Sequence, residues 1–600
     1  MGTVADGIVA RLAEWGVERV FGFAGDGIDP LLAALHRASA QVELVTARHE
    51  EMAAFMATGH AKYGGGVGVC LATQGPGAIH LLTGLYDAKL DRKPVVAVVG
   101  QVVSTALGSG YLQEVDLQTL FKDVCGQYVQ TVHAPEQLPL VLDNAIRTAL
   151  ATSSPTCVIV PHDVQKADLP QDASHTHGVV ASSATWARPR VVPDDAALDR
   201  AVELLDAGER VALLVGQGAS GAAEQVRAVA ERLGAGITTS LLGKPVLDEG
   251  LTYHCGVMGH LGTTASADLL ARCDTLLIVG SSDPWTEFYP PPGTVRTVQV
   301  DIAARNLGAK YPVEVGLAGD AALTLDLLLP RLRAREGWRA DVERSVAAWH
   351  EIARQRAAEP ADPLNPQLVV RALSDHLPGD AQVSLDVGSV AYWYARSLRL
   401  PAGVPAHLSS TLASMGSAMP YGIAAKLLHP DRPVVALAGD GAMQMNGLSE
   451  LITVAARWRD WADPRFVVLV LHNGDLAEVS WEQREMEGDP RFPTSQVVPA
   501  FPYAAYAELL GLTGIRVDDP ADVDAAWRTA LAADRPCVLE AVVDRDTPLL
   551  APRQPAAKVE QMRRGLAREP GSAPATDHLD RQRAHESAHD PAGVSAENDA

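Results

Sequence analysis

The sequence predicts an α/β protein with three doubly wound parallel-sheet domains and a disordered C-terminal tail. Short apolar runs of strand length alternate with segments of helical periodicity, and glycine-containing turns follow several of the runs. Polar connectors at 171–190 and 336–365 divide this alternation into three stretches. Because 600 residues are too many for one core, we predict domains over 1–170, 191–335 and 366–550.

The strands and helices of the outer domains follow a similar order. The first domain begins with a helical pattern over 4–15 and a strand over 20–23 that ends at the turn Gly25-Asp26-Gly27. The third domain repeats the order of helix, strand and glycine turn over 368–388. The other predicted strands are apolar runs at 67–72, 95–99, 211–215, 275–279, 297–300, 434–438 and 466–471.

Composition limits the partners and the surroundings of the protein. Its net charge of −23 argues against binding to nucleic acid or to anionic membrane surfaces. No apolar run approaches the length of a spanning helix, so we expect no membrane insertion. The six cysteines are dispersed and form no C-x-x-C pair, which favours buried thiols in a reducing cytoplasm. Residues 566–600 contain few large apolar side chains, and this composition predicts disorder.

The most informative stretch is the βαβ pattern over 434–473. Its first strand ends at Gly439-Asp440-Gly441, where a helix begins, and its second strand ends at Asn473. The carboxyl ends of parallel strands meet at one edge of a sheet, where ligands bind. Mg²⁺ prefers a few protein oxygens together with phosphates, so Asp440, Asn473 and the backbone carbonyl of Asp475 are candidate ligands. A solvated Asp in an ordinary strand–turn–helix is the alternative.

Several ordered motifs together resemble the thiamine diphosphate (ThDP) enzyme family. The G-D-G…N pattern resembles the family's diphosphate motif, and Arg48-His49-Glu50-Glu51 resembles its R-H-E-x segment. Gly75-Pro76-Gly77, the loop at 110–114 (GYLQE) and the segment at 414–420 (SMGSAMP) match further family motifs. The resemblance covers about residues 3–560. It is closest to the branch of pyruvate oxidase and quinone-dependent pyruvate dehydrogenase, with acetolactate synthase as a near relative.

The resemblance implies a role for individual residues. The outer domains would bind the pyrimidine and the diphosphate of ThDP, with Glu50 activating the cofactor, Met415 bending it and Gln113 lying on the substrate side. On residue type alone, Glu50 also fits a solvated helix-start cluster, and Met415 also fits core filler. The implied ThDP-binding set is Gly25, Gly75, Gly77, Asp386, Gly388, Ser389, Ser414, Met415, Gly439, Gly441 and Ala442.

The middle domain carries a different glycine pattern. Residues 216–221 fit G-x-G-x-x-G, but the next strand, at 237–240, has no acidic residue near its end, which argues against NAD. The resemblance implies an extended FAD instead, on a central nucleotide-binding-like domain. The alternatives are a domain that has lost its cofactor or one that holds ADP. The residues implied for FAD are Gly259, Gly262, Gly280, Ser281 and Asp301.

Glu478 departs from the oxidase pattern, where the matching position usually carries an aromatic residue. A carboxylate there repels an anionic substrate unless it is protonated or paired with a cation. We assign Glu478 to the catalytic set because of its position after Asn473.

The expected activity is decarboxylation of a small-molecule, pyruvate-like 2-oxo acid with ThDP and Mg²⁺, and oxidation of the resulting enamine through FAD. One alternative is a non-redox carboligase or decarboxylase resembling acetolactate synthase, and another is a non-catalytic cofactor-binding relative. The resemblance also implies a homodimer or homotetramer with active sites at the subunit interface.

Overall fold

The computed structural model describes residues 2–170 and 177–589, which form three domains, each built on a six-stranded sheet. Every strand pair in the three sheets is parallel. The predicted fold of three α/β domains is therefore confirmed.

The first domain contains six strands, of which the central ones are apolar and buried and the two at the sheet edges are partly exposed. The strands are β1 (Arg19–Gly22), β2 (Glu43–Thr46), β3 (Gly68–Ala72), β4 (Val95–Gln101), β5 (Val129–Thr131) and β6 (Pro155–Pro161), in the order β2-β1-β3-β4-β6-β5. Its helices are α1 (Val4–Glu14), α2 (Asp29–Arg37), α3 (Glu50–Lys62), α4 (Pro76–His80), α5 (Leu82–Leu90), α6 (Leu117–Phe121), α7 (Leu138–Thr152) and α8 (His162–Lys166). Strands β3, β4 and β6 are buried throughout, because helices cover both faces of the sheet.

The middle domain has a different strand order. Its strands are β7 (Val211–Val215), β8 (Gly236–Thr239), β9 (His254–Val257), β10 (Thr275–Val279), β11 (Arg296–Asp301) and β12 (Val315–Ala318), in the order β12-β11-β10-β7-β8-β9. Its helices are α9 (Asp195–Ala207), α10 (Ala223–Leu233), α11 (Thr264–Arg272) and α12 (Ala321–Leu328), and α13 (Arg339–Ala357) follows them.

The third domain repeats the strand order of the first. Its strands are β13 (Gln382–Leu385), β14 (Ala406–His407), β15 (Val434–Gly439), β16 (Phe466–His472), β17 (Thr513–Val517) and β18 (Cys537–Val542), in the order β14-β13-β15-β16-β18-β17. Its helices are α14 (Pro366–Leu373), α15 (Ser389–Ser397), α16 (Ala418–Leu428), α17 (Asp440–Ala442), α18 (Leu448–Arg457), α19 (Ala477–Glu482), α20 (Pro493–Gln496), α21 (Tyr503–Leu509) and α22 (Val523–Leu531). Helices α23 (Ala556–Leu566) and α24 (Ala573–Ala588) close the described chain.

Helices α3 and α16 pack the first domain against the third. A Cβ on Gly59 of α3 would lie 3.0 Å from the ring of Tyr421, so glycine allows the close approach. At the end of α3, the buried Lys62 Nζ lies 2.7 Å from Asp91 Oδ2 and 2.7 Å from the backbone oxygen of Leu408. These contacts fix the position of α3, and of the residues at its start, relative to the third domain.

The connector predicted at 336–365 is wrong over much of its length, because Arg339–Ala357 forms α13. The helix is strongly polar overall, which is why its sequence resembled a connector. Its apolar residues recur at helical spacing, however, and Val342, Val346 and Ile352 are buried in the core of the middle domain.

The predicted disorder of 566–600 is wrong for its first part, since Ala573–Ala588 forms α24. Ala575 and Leu579 of this helix are buried in the core of the third domain. The last residues of the predicted tail, 590–600, lie outside the described residues.

Ion pairs add to the docking of α24. His578 Nε2 lies 3.1 Å from Asp544 Oδ2, and His585 Nε2 lies 2.8 Å from Glu359 Oε1. Composition gives the number of charged residues but not their partners, and the prediction of disorder failed for this reason.

We expect the docking of α24 to weaken in alkaline solution. Hydrogen bonds to Asp544 and Glu359 raise the pKa of His578 to about 9, and the side chains of Arg581 and His585 lie in the same cluster. A raised histidine pKa contributes stability that is fully present below the unfolded pKa and is lost as pH rises through about 9. Proteolysis within 573–588 should therefore accelerate about tenfold between neutral pH and pH values above 9. In His578→Gln, cleavage should be fast already at neutral pH; a wild-type rate independent of pH would contradict the account.

Two further sequence predictions concern membrane insertion and the state of the cysteines, and the structure bears on both. Within residues 2–170 and 177–589, no helix is both long and apolar enough to cross a bilayer. All six cysteines are free and buried, as the sequence predicted.

Candidate functional site

Glu50 lies at the carboxyl edge of the first sheet, at the start of α3, and His49 caps this helix. The Glu50 side chain is buried, and its Oε2 lies 2.9 Å from Nδ1 of His80, the last residue of α4. The sequence prediction missed His80. The available signal was the Gly75-Pro76-Gly77 turn, which starts the short helix that carries this imidazole to Glu50.

The predicted glycines of the first domain lie at the same edge and make close loop contacts. Gly75 has φ +60, and a Cβ there would lie 2.8 Å from Cβ of Gln113. Gln113 has φ +62, and its Oε1 accepts a hydrogen bond from Gln74 Nε2 at 3.1 Å. A Cβ on Gly77 would lie 3.1 Å from Glu50 Oε1. The structure therefore brings Glu50 and Gln113 to one edge through these turns.

Gly25 joins the same edge, where a Cβ would lie 2.5 Å from Cβ of Thr73. Packing between the β1 and β3 loops explains this glycine, and its assignment to cofactor binding stays a prediction.

Asp440 lies at the carboxyl edge of the third sheet, directly after β15. Its Oδ2 accepts from Gly474 N at 2.6 Å and its Oδ1 from Gly441 N at 2.8 Å. None of the ion pairs found in the described chain includes Asp440. The side chain is buried, and this burial raises its pKa to about 6. A buried carboxylate with only backbone donors, at a strand edge, fits a site for a divalent cation.

Asn473 follows β16, which neighbours β15 in the sheet, so both predicted side-chain ligands reach the same edge. Asn473 Oδ1 accepts from Asp475 N at 2.9 Å. The buried Asp475 carboxylate pairs with Arg491 at 3.0 Å. Asp475 is therefore left with its backbone carbonyl as the oxygen that it can offer to a metal.

Open space lies beside these ligands. A Cβ on Gly439 would meet no protein atom within 4 Å, and a Cβ on Gly388 (φ +118) would meet only Glu478 Oε2, at 4.0 Å. A Cβ on Gly441, in contrast, would lie 2.7 Å from the Leu476 side chain, and Ala442 is buried in α17. The space at Gly439 and Gly388 fits a diphosphate and the group attached to it.

The loop that carries Met415 is held by Asp386. The buried Asp386 carboxylate accepts from Gly416 N at 2.7 Å and from Ala418 N at 3.3 Å, and burial raises its pKa to about 6. Met415 is half-buried, which disfavours the reading of core filler. Asp386 thus positions the loop of Met415.

Two predicted serines lie next to residues described above, Ser414 beside Met415 and Ser389 beside Gly388. Ser414 Oγ donates to the backbone oxygen of Met415 at 3.0 Å. Ser389 is the first residue of α15, directly after Gly388. Both lie at the predicted edge, and their contact with a cofactor stays a prediction.

Glu478 lies on α19 and faces the space at Gly388. In the described part of the chain no hydrogen bond or ion pair to its carboxylate is found, and burial together with the nearby Glu482 raises its pKa to about 7. Because no cation among the described residues pairs with Glu478, a neutral carboxyl group is the form that would accept an anionic ligand beside it.

The candidate residues form two separate groups. Glu50, His80 and Gln113 lie on the edge of the first domain, and Asp440, Asn473, Met415 and Glu478 lie on the edge of the third. In 2–170 and 177–589, no hydrogen bond or ion pair found joins the two groups.

In the middle domain, the G-x-G-x-x-G glycines make contacts between loops. A Cβ on Gly218 would lie 2.8 Å from Cα of Gly280, which has φ +60, and Gly216 meets the same loop. A Cβ on Gly262 would lie 2.5 Å from the Val257 oxygen, and one on Gly259 (φ +88) 3.2 Å from the Trp285 ring. Packing explains these glycines.

The polar groups at this edge are better candidates for nucleotide binding than the glycines, because they carry polar atoms that could bind a ligand. The buried Ser281 hydroxyl has no hydrogen-bond partner in the described chain. Asp301 Oδ1 accepts from Ala303 N at 2.8 Å and from Asn306 Nδ2 at 2.9 Å, which leaves Oδ2 available. Arg92 of the first domain, which the sequence prediction missed, lies 3.9 Å from that Oδ2.

Comparison with known proteins agrees with this arrangement. Residues 2–120 match the family model for the N-terminal TPP binding domain of thiamine pyrophosphate enzymes. Residues 198–328 match the central domain of these enzymes, and residues 386–541 match their C-terminal TPP binding domain. Thiamine pyrophosphate is another name for ThDP, so both edges described above fall within ThDP-binding domains.

Similar proteins extend the match over most of the chain. The chain is 32% identical over 550 residues to the protein YdaP of Bacillus subtilis (strain 168), which covers 91% of this chain and 92% of YdaP. It is 31% identical over 572 residues to the acetolactate synthase large subunit of Corynebacterium glutamicum, with coverage of 91% and 87%. It is 30% identical over 443 residues to pyruvate oxidase of Lactiplantibacillus plantarum, with coverage of 73% and 72%. The chain therefore belongs to the thiamine pyrophosphate enzyme family.

Proposed function

We propose that the protein decarboxylates a small, pyruvate-like 2-oxo acid with ThDP and Mg²⁺ and transfers the two electrons of the remaining fragment to FAD. The observation that carries the proposal is the pair of half-sites: a buried carboxyl–imidazole pair at Glu50 and, at Asp440, a buried carboxyl group that accepts hydrogen bonds from backbone N–H groups. ThDP, when bound, supplies an electron sink for the carbanion left by the departing carbon dioxide.

The residues of the chain divide the work around the cofactor. Glu50 would exchange a proton with the pyrimidine ring, and the contact with His80 supports this by fixing the orientation of the Glu50 carboxyl group. Asp440, Asn473 and the Asp475 carbonyl would hold Mg²⁺ and through it the diphosphate. Met415 would support the bent cofactor, on a loop that Asp386 holds in place.

Glu478 makes substrate binding depend on pH. Its carboxyl group is neutral below about pH 7 and negative above it, where it repels the carboxylate of a 2-oxo acid. We expect KM for pyruvate to rise by up to roughly tenfold from one pH unit below this pKa to one above it. Glu478→Gln should flatten the dependence, and the exposed Glu487→Gln on the following turn serves as its control. A KM in Glu478→Gln that still follows the wild-type curve would contradict this role.

The separation of the half-sites supports an active site shared by two chains of a homodimer or homotetramer. Large apolar side chains are exposed near both edges, including Ile79 (44%), Leu112 (78%) and Ile452 (40%), as expected for surfaces that another copy covers. The six buried free thiols support a reducing compartment such as the cytoplasm.

Mixed oligomers test the shared site. At ThDP and Mg²⁺ concentrations that just saturate wild type, Glu50→Gln chains and Asp440→Asn chains should each be nearly inactive. After coexpression, a mixed dimer contains one site that carries both substitutions and one intact site. Up to about one quarter of wild-type activity should return, because half of randomly assorted dimers are mixed. If each site lies within one chain, every site retains a substitution and no activity returns.

Electron transfer to FAD is supported by Ser281, Asp301 and Arg92 at the edge of the middle domain. Carboligation without redox chemistry is the second candidate, because the similarity to acetolactate synthase covers 91% of this chain. An absorbance scan separates the two: bands near about 370 and 450 nm that bleach anaerobically with pyruvate indicate a redox-active flavin. Carbon dioxide release without bleaching would favour the carboligase.

A further inference from the structure

We propose that His49, Glu50 and His80 form a second metal site, for a nitrogen-preferring ion such as Zn²⁺, and that this ion inhibits the enzyme by occupying Glu50. The inference rests on the proposed function of Glu50 and adds a form of regulation to the same site. The site is distinct from the Mg²⁺ ligands, which lie in the third domain.

The three side chains converge at the start of α3. One nitrogen of each imidazole and one carboxylate oxygen lie within 4.8 Å of one another. His80 Nδ1 is 2.9 Å from Glu50 Oε2, and the rings of His49 and His80 are 4.3 Å apart at an interplanar angle of 33°. Among the described residues, this is the one group of three metal-binding side chains found this close together.

The chemistry of the donors selects the metal. Two imidazoles and one carboxylate suit Zn²⁺, which binds such sets tetrahedrally and keeps a fourth position for water. Mg²⁺ prefers oxygen ligands alone, as at Asp440 and Asn473. We therefore expect Zn²⁺ to bind at His49, Glu50 and His80 in the first domain and Mg²⁺ to bind at Asp440 and Asn473 in the third.

The side chains have the freedom to close around an ion. Zn²⁺ binds at ligand distances of about 2.0–2.2 Å, which places tetrahedral donors roughly 3.4 Å from one another. The His80–Glu50 pair at 2.9 Å must therefore open slightly, and donors that lie further apart, up to 4.8 Å, must approach. The imidazoles of His49 and His80 are 40% and 41% exposed and can rotate, whereas the Glu50 side chain is 9% exposed and stays fixed. Closure thus requires rotation of two side chains, with α3 and α4 unchanged.

Inhibition follows from the use of Glu50. A carboxylate bound to Zn²⁺ has lost the oxygen that exchanges a proton with the ThDP pyrimidine. On binding, the ion displaces solvent and replaces the hydrogen bond between His80 and Glu50. Zn²⁺ and productively bound ThDP should therefore exclude each other.

Metal binding to the full-length protein, stripped of ThDP and Mg²⁺, tests the site without turnover. We expect Zn²⁺ to bind, Co²⁺ to give the visible absorption of a four-coordinate site, and ThDP with Mg²⁺ to displace both. His49→Gln and His80→Gln should each weaken Zn²⁺ binding at least about tenfold. Asp440→Asn, which alters the Mg²⁺ site, should leave Zn²⁺ binding unchanged. Retained circular dichroism confirms that the variants are folded.

Two outcomes would overturn the proposal: Zn²⁺ affinity unchanged in both histidine variants, or affinity lost in Asp440→Asn alone. Wild-type decarboxylation with ThDP and Mg²⁺ separates this failure from failure of the proposed function, because it needs no Zn²⁺. Zn²⁺ added to the active enzyme should inhibit decarboxylation. A nitrogen-donor chelator that binds Zn²⁺ but not Mg²⁺ should restore the activity.

Discussion

Glu50→Gln is expected to lower turnover by roughly 10²–10⁴-fold while ThDP binding changes little. The amide keeps the shape of the side chain and can still accept the hydrogen bond from His80, but it cannot exchange a proton with the pyrimidine ring. Because the Glu50 side chain is buried, bulk water cannot readily replace it as a proton carrier. Carbon dioxide release gives the turnover, and titration of the apo-protein with ThDP gives the affinity.

Glu18→Gln is the matched control, since it removes an exposed acidic charge from the same domain. Its turnover should equal that of wild type. Full activity in Glu50→Gln would show that Glu50 does not exchange the proton. If ThDP affinity and turnover fell by the same factor, Glu50 would contribute to ThDP binding alone.

Asp440→Asn is expected to raise the half-saturating concentration of ThDP and Mg²⁺ by roughly 100-fold. Removing the only charge among the proposed ligands weakens a site that depends on charge and near-ideal geometry. The fold should tolerate the change. Burial raises the pKa of Asp440 to about 6, so the ionised group destabilises the apo-protein at neutral pH and the amide removes that penalty. The amide also gives up one of the two hydrogen bonds that Asp440 accepts from Gly441 N and Gly474 N, so the two effects oppose each other.

Thermal unfolding separates these two effects. Wild-type Tm should rise when ThDP and Mg²⁺ are added, and the rise should be lost in Asp440→Asn while its apo-form still unfolds in one cooperative transition close to the wild-type apo Tm. Asp431→Asn, an exposed position just before β15, should behave as wild type. An unchanged ThDP-dependent rise in Asp440→Asn would contradict the assignment of the metal site.

The sheets and both edges were accessible from the sequence because their signals are local. The strand β15 and the turn at Asp440 follow one another directly, and parallel packing brings the end of β16, with Asn473, to the same edge. The similar order of elements in the outer domains also proved informative, since their two sheets have the same strand order.

The remaining features depend on contacts between distant segments. His80 and Arg92 contact partners 30 or more positions away. The Gly75-Pro76-Gly77 turn marks the helix that carries His80, but no local pattern identifies Glu50 or Asp301 as the partner of either side chain. The hydrogen bonds by which Asp386 holds the backbone of the Met415 loop could not be foreseen, and its contact with the cofactor stays a prediction. The helices α13 and α24 were hidden by polar composition, although each buries a few well-spaced residues.

Release of carbon dioxide from pyruvate labelled in its carboxyl carbon tests the central claim most directly. Apo-protein should release no label, protein with ThDP and Mg²⁺ should release it, and Glu50→Gln with both cofactors should fall back toward the apo level. Several short 2-oxo acids should be assayed in parallel, since the claim concerns the class. Absence of cofactor-dependent release from every acid tested would favour a non-catalytic cofactor-binding protein, and release that is equal in wild type and Glu50→Gln would contradict the proposed site.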